Sequence, residues 1–124
     1  MLKITKQINK STETTNIVRY CKKEIYFEIG DNEDKQDFFV DINFKIKNNS
    51  KYLVGVNVND YKEDTNLRDI NEFDDFYNIL DEKVFDTLDY FFPENLKNEE
   101  IGFVCTGILD KIKEVIKEKQ IIVD

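Results

Sequence analysis

Residues 38–47 read FFVDINFKIK, followed by NNS at 48–50 and YLVGVNVN at 52–59. In the first segment Val40, Ile42, Phe44 and Ile46 alternate with Asp41, Asn43, Lys45 and Lys47. A period of two places the four apolar side chains on one face of a β-strand and the polar ones on the other. The third segment repeats the alternation through Val54, Val56 and Val58. The Asn-Asn-Ser between them is a turn signal, so the whole stretch predicts a β-hairpin with one face for a core and one for water.

Working outward toward the N-terminus, EIYFEIG at 24–30 reads as a third strand with Ile25, Phe27 and Ile29 inward. NIVRYC at 16–21 extends it, LKITKQI at 2–8 reads as a fourth strand, and the acidic segment GDNEDKQD at 30–37 is the loop leading into the hairpin. Toward the C-terminus the period changes. Leu67, Ile70, Phe73, Tyr77, Leu80, Val84, Leu88 and Phe91 recur in steps of three and four, one face of a helix over 66–92. Asp64, Thr65 or Asn66 is its expected cap and Pro93 its end, and Asp81 can cap a second helix after a break. A last helix runs through Ile108, Leu109, Ile112, Val115 and Ile116, starting as early as Asn98, with Gly102 and Gly107 as weak points. QIIVD at 120–124 is a closing strand or a tail. Strands first and helices after predict an α+β fold. An antiparallel sheet of three to four strands in the N-terminal half is covered on one face by two to three helices in the C-terminal half.

At 124 residues the chain is expected to be a single domain spanning 1–124. It contains no histidine, which removes Ser-His-Asp and Cys-His nucleophile activation and the usual zinc sites. The remaining carboxylates, Lys, Tyr and Cys show no spacing that commits them to a catalytic site, so the chain is read as a non-enzyme without cofactor or metal. MLKITKQINK at 1–10 has no apolar core of a signal peptide, and the longest apolar run, IGFVCTGIL at 101–109, is too short to span a membrane. A cytoplasmic protein is expected, with Cys21 and Cys105 as reduced, partly buried thiols.

The net charge of −8 is unevenly spread. Residues 1–59 hold ten Lys+Arg and eight Asp+Glu, residues 60–100 four and fourteen, and residues 101–124 four and four. All the excess negative charge therefore sits in one third of the chain. Such a surface repels nucleic acid and anionic membranes and favours basic partners.

The acidic third contains NEFDDFYNILDE at 71–82, five carboxylates among three aromatics. On a helix Phe73, Tyr77, Leu80 and Val84 share the core face, with Phe76 on its shoulder. Glu72, Asp75, Glu82, Asp86 and Asp89 form a band opposite, bordered by Ile79 and Tyr90, about 25 Å long at 1.5 Å per residue. A solvated helix face ordinarily interleaves lysines at i+4, yet only Arg68 and Lys83 are basic between 63 and 96. The surface character resembles that of immunity proteins that neutralise nuclease toxins and of the DNA-mimicking inhibitors of phages, which set carboxylates where phosphates would lie. This resemblance implies an inhibitor or immunity-type protein whose acidic helix face occupies a basic site of a nuclease or other nucleic-acid-handling protein. The alternative is a self-associating structural or chaperone-like module, a homo-oligomer pairing through exposed strand edges. DNEDKQD at 31–37 lacks the central Gly and final Glu of a calcium loop, and EDK at 33–35 is a nuclease-like spacing without a partner carboxylate.

Overall fold

The computed structural model describes residues 2–14, 17–30, 36–60, 64–67, 76–91 and 100–123. Five strands follow one another across a mostly antiparallel sheet: β1 (Leu2–Thr14), β2 (Arg19–Ile29), β3 (Gln36–Lys47), β4 (Ser50–Asp60) and β5 (Asp64–Leu67). Two helices come next, α1 (Phe76–Phe91) and α2 (Glu100–Glu118), and then the two-residue β6 (Ile121–Ile122), which lies parallel to β4. The α+β class is as expected, but the sheet dominates. It has more strands than expected, and two helices stand among the described residues.

The β3–β4 hairpin closes as the Asn-Asn pair demands. Asn48 and Asn49 both have positive φ, 52° and 65°, and Lys47 pairs with Ser50. Two left-handed central residues match the twist of the flanking strands, and asparagine tolerates that conformation better than most residues. In β3, Phe38, Val40, Ile42 and Phe44 are buried, paired with Phe27, Ile25, Lys23 and Cys21 of β2. On β4 the alternation is broken. Asn43 pairs with Gly55 but Phe44 pairs with Leu53, so Val54 is the extra residue of a bulge. The inward set is therefore Leu53, Val56 and Val58, where the simple alternation places Val54.

The segment 64–67 is a strand and not the capped start of a helix. Asp64, Thr65, Asn66 and Leu67 pair with Asn59, Val58, Asn57 and Val56. One leucine in four residues fits the inward position of a strand as well as a helix stripe, and the edge of β4 supplies the backbone partners that decide between them. Helix α1 then begins at Phe76 and runs unbroken through Asp81 to Phe91, two residues before Pro93. Its buried row is Phe76, Leu80, Val84 and Leu88, a strict i, i+4 series. Tyr77, expected inward, is 41% exposed, and Phe76, expected on the shoulder, takes the core position. Phe73 and the loop 31–35, with its calcium-like and nuclease-like spacings, lie outside the described residues.

Helix α2 contributes Ile101, Val104, Cys105, Ile108, Leu109, Ile112, Val115 and Ile116 to the same cluster that holds the inward residues of β2, β3 and β4 and the buried row of α1. Sheet and helices thus share one continuous core. Gly107 lets α2 approach β1, since a Cβ there would stand 2.5 Å from Leu2 Cδ2. The helix ends with Lys119 N–H donating to Val115 O at 3.0 Å and Gln120 N–H to Lys117 O at 3.1 Å, Gln120 being left-handed at φ 56°. No helix among the described residues is long and apolar enough to cross a membrane.

Candidate functional site

Of the band expected to meet a partner, Glu82, Asp86 and Asp89 stand on α1 and are exposed. At 100° per residue they fall within about 60° of one another, opposite the Phe76–Leu80–Val84–Leu88 row. These three span about 10 Å of helix at 1.5 Å per residue. Glu72 and Asp75 lie outside the described residues. Ile79 and Tyr90 lie within α1, but their side chains are outside what is described.

Among the described residues, one exposed aromatic accompanies these carboxylates. Phe85 is 42% exposed next to the acidic band, and Tyr77 lies further round toward α2. Val84 and Phe85 are adjacent, and Phe85 falls about 100° further round, off the row that meets the core. The four-residue row selects Val84 and leaves the larger phenyl in water. Tyr77 packs edge-on to Phe76 with ring centroids 5.0 Å apart, and Lys113 Nζ of α2 sits 5.5 Å from the Tyr77 ring centre. On α2, Phe103 is 79% exposed because its neighbours Ile101, Val104 and Cys105 take the inward phase. A reading that scores each helix by its apolar stripe gathers such out-of-phase aromatics only when it asks which apolar residues fall off the stripe.

The placement of charge along α1 does not serve the helix itself. Its first turn has no acidic residue and its last turn no basic one, while Asp86 and Asp89 crowd toward the C-terminal end. There the helix dipole presents partial negative charge, which Asp89 in the last turn opposes. Asp81, one position from Glu82, turns instead toward α2. The Cys105 thiol donates to Asp81 Oδ1 at 3.6 Å. Burial, the Asp81 charge and that hydrogen bond push the Cys105 thiol up to about 12. Cys105 is therefore a neutral structural thiol and not a nucleophile. Cys21 is likewise free and buried.

A second polar cluster lies on the sheet face away from this core. Glu24 is only 7% exposed, and it accepts from Lys10 Nζ at 3.1 Å and Lys22 Nζ at 3.3 Å. Burial by itself would raise its carboxyl, but the two lysine hydrogen bonds and charges outweigh that and hold it below the usual range. Tyr26 donates to Glu24 Oε1 at 3.4 Å and stacks on Phe39, centroids 5.5 Å apart, with Lys6 Nζ 5.6 Å from its ring centre. Burial, followed by the Glu24 charge, pushes the Tyr26 hydroxyl above its ordinary value. A carboxylate held ionised and a phenol held neutral have the wrong pKa values for proton transfer at neutral pH. This cluster ties β1 to β2 and β3.

Comparison of the chain with protein-family models, with curated proteins and with solved structures found no match.

Proposed function

We propose that this protein works by binding, in the cytosol, a basic protein partner through the outer face of α1. The observation that carries the reading is the coincidence on one helix face of Glu82, Asp86 and Asp89 with the exposed ring of Phe85. Carboxylates crowded on one helix face repel one another, and a positively charged partner would offset that repulsion. Charge complementarity would speed encounter, and an aromatic that is desolvated on contact would anchor the complex. An inhibitor or immunity-type role, occupying the basic site of a nuclease or other nucleic-acid-handling enzyme, is the form of this function that the charge favours.

The test is capture from a lysate of the source cells at low salt, with a salt step to elute. A charge-reversed variant, Glu82→Lys with Asp86→Lys and Asp89→Lys, is run in parallel. A basic protein retained by the native chain and lost by the variant supports the reading. Equal retention by a variant with an unchanged circular-dichroism spectrum refutes it.

One observation favours a second reading, self-association. Phe103 and Phe85 leave apolar surface on the outside of the helical layer. The terminal strand β1 is a poor means of self-association, since its register shifts between Ile4 and Lys6 and again between Ser11 and Glu13, and its sequence carries Lys3, Lys6 and Lys10. Self-association would therefore use the helices. A monomer at every concentration by light scattering would rule it out.

A further inference from the structure

The helix-bearing face of the sheet does not stay apolar to its end. Past the end of α2 four cations gather there: Arg19 and Lys23 of β2, Lys51 of β4, and Lys119. Register shows that this placement follows from the pairing. Arg19 lies opposite Ile46, Lys23 opposite Ile42, and Lys51 opposite both Ile46 and Ile121, all inward-facing positions. A cavity of about 240 Å³ opens here, with Arg19, Lys51 and Lys119 on its walls and Cys21, Phe44 and Ile46 as its apolar floor, while Lys23 stands outside its lining. Among the described residues no carboxylate lines it. Lys10 and Lys22 also line it, but their ammonium groups pair with Glu24 on the opposite face.

Two contacts hold the cations in place. Arg19 donates through Nε at 3.1 Å and Nη2 at 2.8 Å to Ser11 Oγ, which fixes the guanidinium plane and uses two of its five N–H donors. Lys119 Nζ lies 5.6 Å from the Phe44 ring centre. Burial, then the charges of Lys23 and Lys51, lower the Lys119 ammonium below its ordinary value. The C-terminal dipole of α2 accounts for Lys119, whose cation it attracts, but not for Arg19, Lys23 and Lys51. The carbonyls of Val115 and Lys117, which would repel an anion, are occupied by the N–H groups of Lys119 and Gln120.

We propose that this pocket binds an oxyanion, and specifically a phosphate group. A dianion there would offset the charges of Arg19, Lys51 and Lys119 on the walls and relieve the repulsion of Lys119 by Lys51. It would also meet a planar donor fork beside point-charge ammoniums, the combination that recognises phosphate. The apolar floor of Phe44 and Ile46 suits the organic part of a small phosphate monoester. The sequence signal is Lys23, a lysine in the inward phase of Cys21, Ile25, Phe27 and Ile29.

The experiment titrates the labelled protein with inorganic phosphate and, separately, with phenyl phosphate. Backbone amide shifts are followed by NMR against sodium chloride at matched ionic strength. The expected result is saturable, one-site movement of the amides of Ser11, Arg19, Cys21, Lys51 and Lys119. The variant Lys51→Gln with Lys119→Gln binds at least about tenfold more weakly, a tenfold change being about 1.4 kcal/mol. Arg19→Lys, which keeps charge but loses the fork, falls between. Tighter binding of phenyl phosphate assigns a monoester, and equal binding assigns the free anion. Shifts no larger than those in chloride, or unchanged affinity in a folded double variant, overturn the proposal.

Discussion

Replacing Glu24 by Gln tests whether the outer face of the sheet is held by charge. Each lysine–Glu24 pair, at 3.1 and 3.3 Å, has several kcal/mol of gross attraction at the effective dielectric of a protein surface. Burial of Glu24 and solvent screening of Lys10, whose side chain is half exposed, cancel most of it. Loss of two charge-assisted hydrogen bonds in this setting is expected to cost about 1–3 kcal/mol at neutral pH. The pH dependence gives the sharper test. The folded-state carboxyl of Glu24 is depressed, so its contribution is complete above the unfolded value of about 4.3. That contribution is lost as pH falls through the lower folded value. Urea denaturation of the native and Glu24→Gln proteins from about pH 7 to about pH 3 should show a stability difference that is constant down to about pH 5 and then shrinks. Other carboxylates titrate alike in both proteins and drop out of the difference. A difference that is absent at pH 7, or that stays constant into acid, would refute the reasoning.

Other outcomes follow from single residues. Leu53→Ala should cost about 2–4 kcal/mol and Val54→Ala under about 1, because the bulge points Leu53 and not Val54 into the core. Thermal unfolding of the pair checks this, and the reverse order would remove the bulge. Gln120→Gly should stabilise by about 0.5–1 kcal/mol, since glycine occupies the left-handed position without strain; a lower melting temperature would contradict it. Cys105 should resist a thiol-specific reagent at pH 8 in the folded protein, and Asp81→Asn should bring its pKa down from about 12. Immediate labelling of Cys105 in the native chain would show that Asp81 does not hold it neutral.

The inward faces of β2 and β3, the turn at Asn48 and Asn49, and the Leu80–Val84–Leu88 row were legible because each is a local property. A period of two or of three to four, together with side chains that accept or refuse a conformation, is written in neighbouring residues. The acidic band was legible as charge, and Glu82, Asp86 and Asp89 are its members among the described residues. The aromatic beside them, Phe85, was not singled out, because its exposure depends on which phase of α1 meets the sheet.

What the sequence determined by itself is therefore the class of fold, the hairpin and the sign of the α1 surface. The tertiary structure decided the rest. It made 64–67 a strand, since the edge of β4 offered backbone partners that no window of sequence displays. It made Leu53 inward by a bulge set against Phe44. It exchanged Tyr77 for Phe76 in the core, and it brought Ser11, Arg19, Lys51 and Lys119 to one cavity. In each case the deciding energy lies in a pairing between residues distant along the chain, and a local period contains no information about that partner.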